Sequence, residues 1–142
     1  MTSKKDEGLA DGIDVEGIEK TVQAYFDGLY NSDVATLERI FHPTCMVTGY
    51  DSKGQLQAMT RDTFLAFVAG VPSPKAAGAP YDMETLGIDA TPTTASVAVH
   101  DAYIGRDFID YLHMVKTDDG WVIVAKTFHS EPLDAASAKA PA

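Results

Sequence analysis

The chain has one cysteine, one tryptophan and four histidines in 142 residues, and its 11 Lys and Arg are outnumbered by 21 Asp and Glu. Each shortage excludes a class of function. Cys45 has no second cysteine to pair with, and nothing beside it in sequence would lower its pKa, so it reads as a small core residue rather than a nucleophile. A formal net charge of −10 without any basic run leaves no footprint for nucleic acid. No zinc-spaced Cys/His motif occurs, so no metal site is expected. No apolar run approaches a membrane span, and the start, MTSKKDEGLADGID, lacks the hydrophobic stretch of a secretion signal; a cytoplasmic location is the expectation. No motif of known catalytic spacing is present, and nothing in the residues names a cofactor.

What the chain does have is a long closing hairpin. Asp107 to Lys116 and Trp121 to His129 are rich in Phe, Ile, Tyr and Val and flank a turn on Asp118, Asp119 and Gly120. A hairpin this long must bury a face against something else. Period-two alternation across an even loop puts Phe108, Asp110, Leu112 and Met114 on one face with Trp121, Ile123, Ala125, Thr127 and His129. Ile109, Tyr111, His113, Val115, Val122, Val124, Lys126 and Phe128 then take the other. A left-handed bulge at Gly120 would shift the relative phase of the two strands.

Upstream, Asp14 caps a helix whose Val15, Ile18, Val22, Tyr25, Phe26 and Leu29 share one face. Ser32 or Asp33 caps a short second helix that His42-Pro43 ends, and Thr60 caps a third over Arg61 to Ala69. Thr44 to Tyr50 and Gln55 to Met59 form a small hairpin, and Glu84 to Ala90 and Ala95 to Ile104 are further strands. Gly70 to Asp82, with its prolines and glycines, is a candidate lid or a plain connection. The fold class is therefore α+β: a curved antiparallel β-sheet with three helices from the N-terminal half on its concave face, as a single domain over 14–130 between flexible tails at 1–13 and 131–142.

The run AYFDGLYNSDVATLERIFHP, followed later by FIDYLHMVKTDDGWVIVAKTFH, resembles the nuclear transport factor 2-like superfamily, and within it the lumazine-binding and polyketide-cyclase-like subgroup. The likeness covers roughly residues 14 to 130, and its most specific part is Asp110-Tyr111-Leu112, Lys116, Gly120-Trp121 and Lys126 to His129. It implies a cone with a pocket between sheet and helices, usually dimeric through the outer sheet surface. It implies no one reaction, because members range from isomerases, dehydratases and cyclases to proteins that only bind.

Extending the alternation back through Gly105-Arg106 places Val97, Val99, Asp101 and Tyr103 on the face of Asp110. Two carboxyls and an imidazole in an apolar cup suit proton transfer beside a carbonyl, so Asp110 is the candidate general base, with Asp101 and His129 as candidate catalytic partners. Tyr25, Phe26, Leu29, Phe41, Tyr103, Phe108, Leu112, Trp121 and Thr127 are the candidate ligand-binding residues. Asp110 holding only a structural hydrogen bond is an equal reading. Two functions follow: an isomerase, dehydratase or cyclase acting on a hydrophobic carbonyl compound, or a non-catalytic module that holds a hydrophobic or aromatic ligand or serves as a dimeric interaction module. The apolar outer face, with Ile109, Tyr111, Val115, Val122, Val124 and Phe128, predicts a homodimer.

Overall fold

The computed structural model describes residues 12–133, in which three helices and six strands alternate early and give way to sheet alone. The tails expected at 1–13 and 131–142 lie mostly outside the described residues; where the two overlap, the last strand continues to Pro132.

Helix α1 spans Val15–Asn31 and starts where Asp14 accepts a 2.9 Å hydrogen bond from the Gly17 amide. Its buried residues Ile18, Val22, Tyr25, Phe26 and Leu29 fall on one side, the 3.6-residue stripe that a helix lying on a sheet requires. It ends at Ser32, which takes a left-handed conformation with φ 51°. Asp33 then caps α2 (Val34–Ile40) through the Thr36 amide at 3.2 Å, and Thr60 caps α3 (Arg61–Gly70) through the Thr63 amide at 3.2 Å. Gly28 permits the close crossing of α1 and α2: a Cβ there would stand 2.6 Å from Leu37 Cδ2.

The strands are β1 (Phe41–Tyr50), β2 (Leu56–Thr60), β3 (Met83–Ala90), β4 (Thr94–Tyr103), β5 (Arg106–Thr117) and β6 (Gly120–Pro132), in the spatial order β2-β1-β6-β5-β4-β3. Four of the five pairings are antiparallel, as expected, but β1 runs parallel to β6, so the sheet is mixed. The β1–β6 register breaks between Phe41 and Met46, around Pro43, which has no amide to give to a ladder. The helices cover one face, and the core of Ile18, Tyr25, Leu29, Phe41, Val47, Val97, Val99, Leu112 and Ile123 lies between. Three polar links also fasten α1: Thr21 Oγ1 donates to the Trp121 carbonyl at 2.9 Å, Trp121 Nε1 donates to Asp14 Oδ2 at 3.2 Å, and Tyr25 Oη donates to Asp110 Oδ2 at 2.6 Å.

One irregularity corrects the expected faces. Along the closing hairpin Met114 pairs with Ile123 but His113 pairs with Ala125, leaving Val124 as an extra residue in β6. Because side chains alternate with period two, one extra residue turns over everything beyond it. Lys126 and Phe128 therefore point to the helix side, and Thr127 and His129 to the outside, the reverse of the simple alternation. The shift expected as one possibility at Gly120 occurs four residues later.

Gly70 to Asp82 does not cover the cavity described below. It packs against α1, with the Lys75 amide donating to the Tyr30 carbonyl at 3.1 Å, Tyr30 Oη donating to the Ala79 carbonyl at 2.8 Å, and the Tyr30 and Tyr81 rings 5.1 Å apart. None of its residues lines the cavity. No helix among the described residues is long and apolar enough to cross a membrane.

Candidate functional site

A cavity of about 450 Å³ opens between the sheet and the helices. Helix α1 gives it Leu29, and α3 gives Phe64 and Phe67. The β1–β2 hairpin contributes Val47, Tyr50, Asp51, Ser52, Gln57 and Met59. The last three strands and their turn supply Asp101, Tyr103, Ile104, Arg106, Phe108, Lys126, Phe128 and Ser130. The walls are mainly aliphatic and aromatic, with few polar groups, which is the composition of a small-molecule site.

The polar groups converge at its inner end. Asp110 is wholly buried at the middle of β5, opposite Val99, and Asp101 is buried two residues further along β4, opposite Phe108. Asp110 Oδ2 accepts the Tyr25 hydrogen bond and lies 4.0 Å from Lys126 Nζ. Asp110 Oδ1, Asp101 Oδ2 and the Tyr103 hydroxyl are buried with no hydrogen-bond partner among the described residues. Buried polar atoms are normally satisfied, so the two carboxyl oxygens mark a place where a shared proton completes the structure, and the Tyr103 hydroxyl one where a ligand can.

Burial raises the Asp101 carboxyl well above the ordinary carboxylate range, and the charge of Asp110, together with a hydrogen bond to it, raises it further. The Lys126 ammonium pulls the other way and does not prevail. Burial, then the charge of Asp101, pushes the Tyr103 hydroxyl up to about 12, and burial with the charges of Asp110 and Asp101 raises Tyr25 well above its usual value. At neutral pH the cluster thus keeps donors on Tyr103 and Tyr25, while Asp101 is shifted toward its protonated form. Lys126, only 5% exposed, has its Nζ 4.4 Å from the centre of the Phe64 ring and 5.1 Å from that of Tyr25, a position for cation–π attraction.

The sequence-predicted residues divide accordingly. Leu29, Asp101, Tyr103 and Phe108 line the cavity; Asp110 and Tyr25 stand directly behind the wall. Phe26, Phe41 and Leu112 are core residues outside the lining, and Trp121 is held under α1 by Asp14. Thr127 and His129 are on the outer face, the His129 side chain 69% exposed and paired with Glu131 at 3.1 Å; the bulge at Val124 is the reason. Lys126, Phe128, Arg106 and Phe64 were missed. Lys126 and Phe128 were assigned outward by the same broken alternation, while Phe64 carried the ordinary signal of an apolar helix face.

Cys45 is buried, and burial pushes its thiol up to about 11, as suits a core residue. His42 bonds Thr44 Oγ1 at 2.7 Å and does not line the cavity. Among the described residues one grouping could bind a metal: Asp82, His100 and Asp107, with potential ligand atoms within 4.8 Å of one another. It lies away from the cavity, and His100 and Asp107 already bond each other at 2.9 Å.

A family model described as "Putative lumazine-binding" matches residues 13–129. Among curated proteins, the chain is similar to the aldolase FrzH of a Cladobotryum species, with 29% identity over 119 residues, 82% of this chain and 91% of that one. Among solved structures it is similar to a nuclear transport factor 2-like protein of Shewanella baltica, with TM-score 0.73, 22% identity and coverage of 83% of this chain and 94% of the other. Another from Silicibacter pomeroyi matches with TM-score 0.69, 21% identity and coverage of 82% and 95%. These two likenesses concern the fold.

Proposed function

The chain belongs to the family described as "Putative lumazine-binding", and from that membership and its cavity we propose that it binds a small apolar carbonyl compound and moves a proton at the carbon beside the carbonyl. The observation that carries the reading is Asp101: a cavity-lining carboxyl, raised by burial and by Asp110, in a cluster with a cavity-lining Tyr103 hydroxyl that no protein group satisfies. Two carboxyls in such contact hold one proton between them. In the form in which Asp101 has given that proton up, it presents a carboxylate to the ligand and takes the proton from carbon. Returning it to another atom completes an isomerisation, and leaving the carbanion to meet a second carbonyl gives the aldol class of reaction. Tyr103, its hydroxyl unpartnered and kept protonated, donates to the carbonyl oxygen as negative charge grows there.

This moves the base from Asp110, which does not line the cavity, to Asp101, which does. Asp110 becomes the positioning residue behind it, held by Tyr25 and Lys126. The aldolase name of the similar fungal protein supports carbonyl chemistry. We further infer that the protein works in the cytoplasm as a homodimer through its outer sheet face.

The predominantly apolar lining and the family's description favour a second reading, a binding module without turnover. Proton NMR of benzylacetone in D2O separates the two. The enzyme reading expects protein-catalysed loss of the α-proton signals, reduced by about a hundredfold or more in Asp101→Asn, the scale of general acid–base catalysis. Ligand resonances that shift on binding without any exchange would establish the binding module instead.

A further inference from the structure

We propose that Lys126 is a covalent nucleophile, forming an imine with the carbonyl carbon of the ligand. The inference deepens the carbonyl reading of the cavity and rests on it. Its ground is a buried lysine that lines a largely apolar cavity. Burying an ammonium is costly unless it is well paired, yet Lys126 Nζ meets Asp110 Oδ2 at 4.0 Å, ion-pair rather than hydrogen-bond distance. Around it lie the rings of Phe64, Tyr25 and, at 6.0 Å, Phe128, and the Asp101 carboxyl is near enough to feel its charge. A lysine serving only as counter-ion to Asp110 has no need to border the cavity, and this one does. The residue also owes its inward position to the bulge at Val124, without which the alternation would carry it to the outer face.

The groups needed for the chemistry are already beside it. Lys126 passes a proton to the Asp101–Asp110 pair, and the freed lone pair adds to the carbonyl carbon while the π electrons move to oxygen. Nitrogen gives up a second proton, and the oxygen, protonated twice through the carboxyl pair, leaves as water. Both protons lost from nitrogen depart in that water, so the pair ends with the proton count it began with. The product is a protonated imine whose positive nitrogen draws electrons from the neighbouring carbon, making its proton easier for Asp101 to remove. The ligand class narrows to apolar aldehydes and unhindered ketones, since esters and amides form no imine of this kind.

A counter-ion and a nucleophile are separated by Lys126→Arg, which keeps the charge and cannot form the imine. Benzoylacetone is one probe: its ketone condenses with an amine to a stable conjugated enaminone, detected by intact mass as a gain of one diketone less one water and located by peptide mapping. Benzylacetone with cyanoborohydride is the other, hydride from the reagent reducing the imine to a secondary amine. The expected result is one adduct, on Lys126, with Lys20, Lys53, Lys75 and Lys116 unmodified, and no adduct in Lys126→Arg. Benzylacetone α-proton exchange should also fall about a hundredfold or more in Lys126→Arg, with its unfolding midpoint checked so that misfolding is not the cause. Adducts spread over the surface lysines, or none, overturn the proposal, as does exchange that survives in Lys126→Arg; that last result leaves Asp101 as base intact. An adduct on Lys126 without exchange in wild type upholds the nucleophile and defeats the proton-transfer reading.

Discussion

Tyr25, from the middle of the first helix, donates a 2.6 Å hydrogen bond to Asp110, in the middle of the fifth strand, and both residues are fully buried. The bond joins helix to sheet at the point where the carboxyl pair sits. Tyr25→Phe removes the hydroxyl and keeps the ring, leaving Asp110 Oδ2 with only Lys126 at 4.0 Å. An uncompensated buried acceptor costs about 1–3 kcal/mol, so the unfolding free energy should fall by that amount, read as a lower urea midpoint at an unchanged slope. A midpoint equal to wild type would mean the bond contributes nothing net.

Asp101 gives stability an unusual dependence on pH. Its folded pKa is raised, so between the ordinary carboxyl value of 3.8 and that raised value the folded protein holds a proton that the unfolded chain has released. Stability therefore declines as pH rises through this window. Asp14, Asp33 and Asp51 have lowered values and act oppositely, their contribution being lost only as pH falls below 3.8. Asp101→Asn should flatten the decline above that point while leaving the acid limb in place. Urea unfolding at a series of pH values checks it, and parallel profiles for the two proteins would refute the raised carboxyl.

Most of the fold was legible because it follows from local chemistry: three helix caps, the apolar stripe of the first helix and strands separated by turns. The candidate site was legible only up to the bulge. Asp101, Tyr103, Phe108 and Leu29 lie on β4, β5 and α1, whose own phase an extra residue in β6 does not change, and simple alternation or helical spacing placed them at the cavity. The extra residue at Val124 leaves no mark in the sequence, since VIVAKTF reads as well with one phase as with the other. That is why His129 was drawn in and Lys126 left out. The parallel β1–β6 pairing was also hidden, because it joins strands more than seventy residues apart that no turn relates.

His129→Ala tests the corrected phase directly. The side chain stands in solvent beside Glu131, so its removal should change stability by no more than about 0.5 kcal/mol, as for ordinary surface substitutions. Benzylacetone binding and exchange should match wild type. A large loss of either would restore the unbroken alternation and undo the placement of Lys126.

The bulge also redraws the outer face, where dimerisation is expected. Phe128 is withdrawn from it, while Ile109, Val115, Val122 and Val124 remain partly open around Tyr111, which is 48% exposed. Thr127 and His129 now extend the same surface with polar groups, giving an apolar centre with a polar margin, the anatomy of a protein–protein interface. A two-fold partner would bring this patch against its own copy and cover Tyr111. Sedimentation equilibrium at micromolar concentration should then give twice the 15.2 kDa chain mass. Tyr111→Glu places like charges at the centre of the contact and should return the mass to that of one chain, with the cavity undisturbed because residue 111 points away from it. Wild-type protein sedimenting as a single chain across that range would remove the dimer, and the open face would need another explanation.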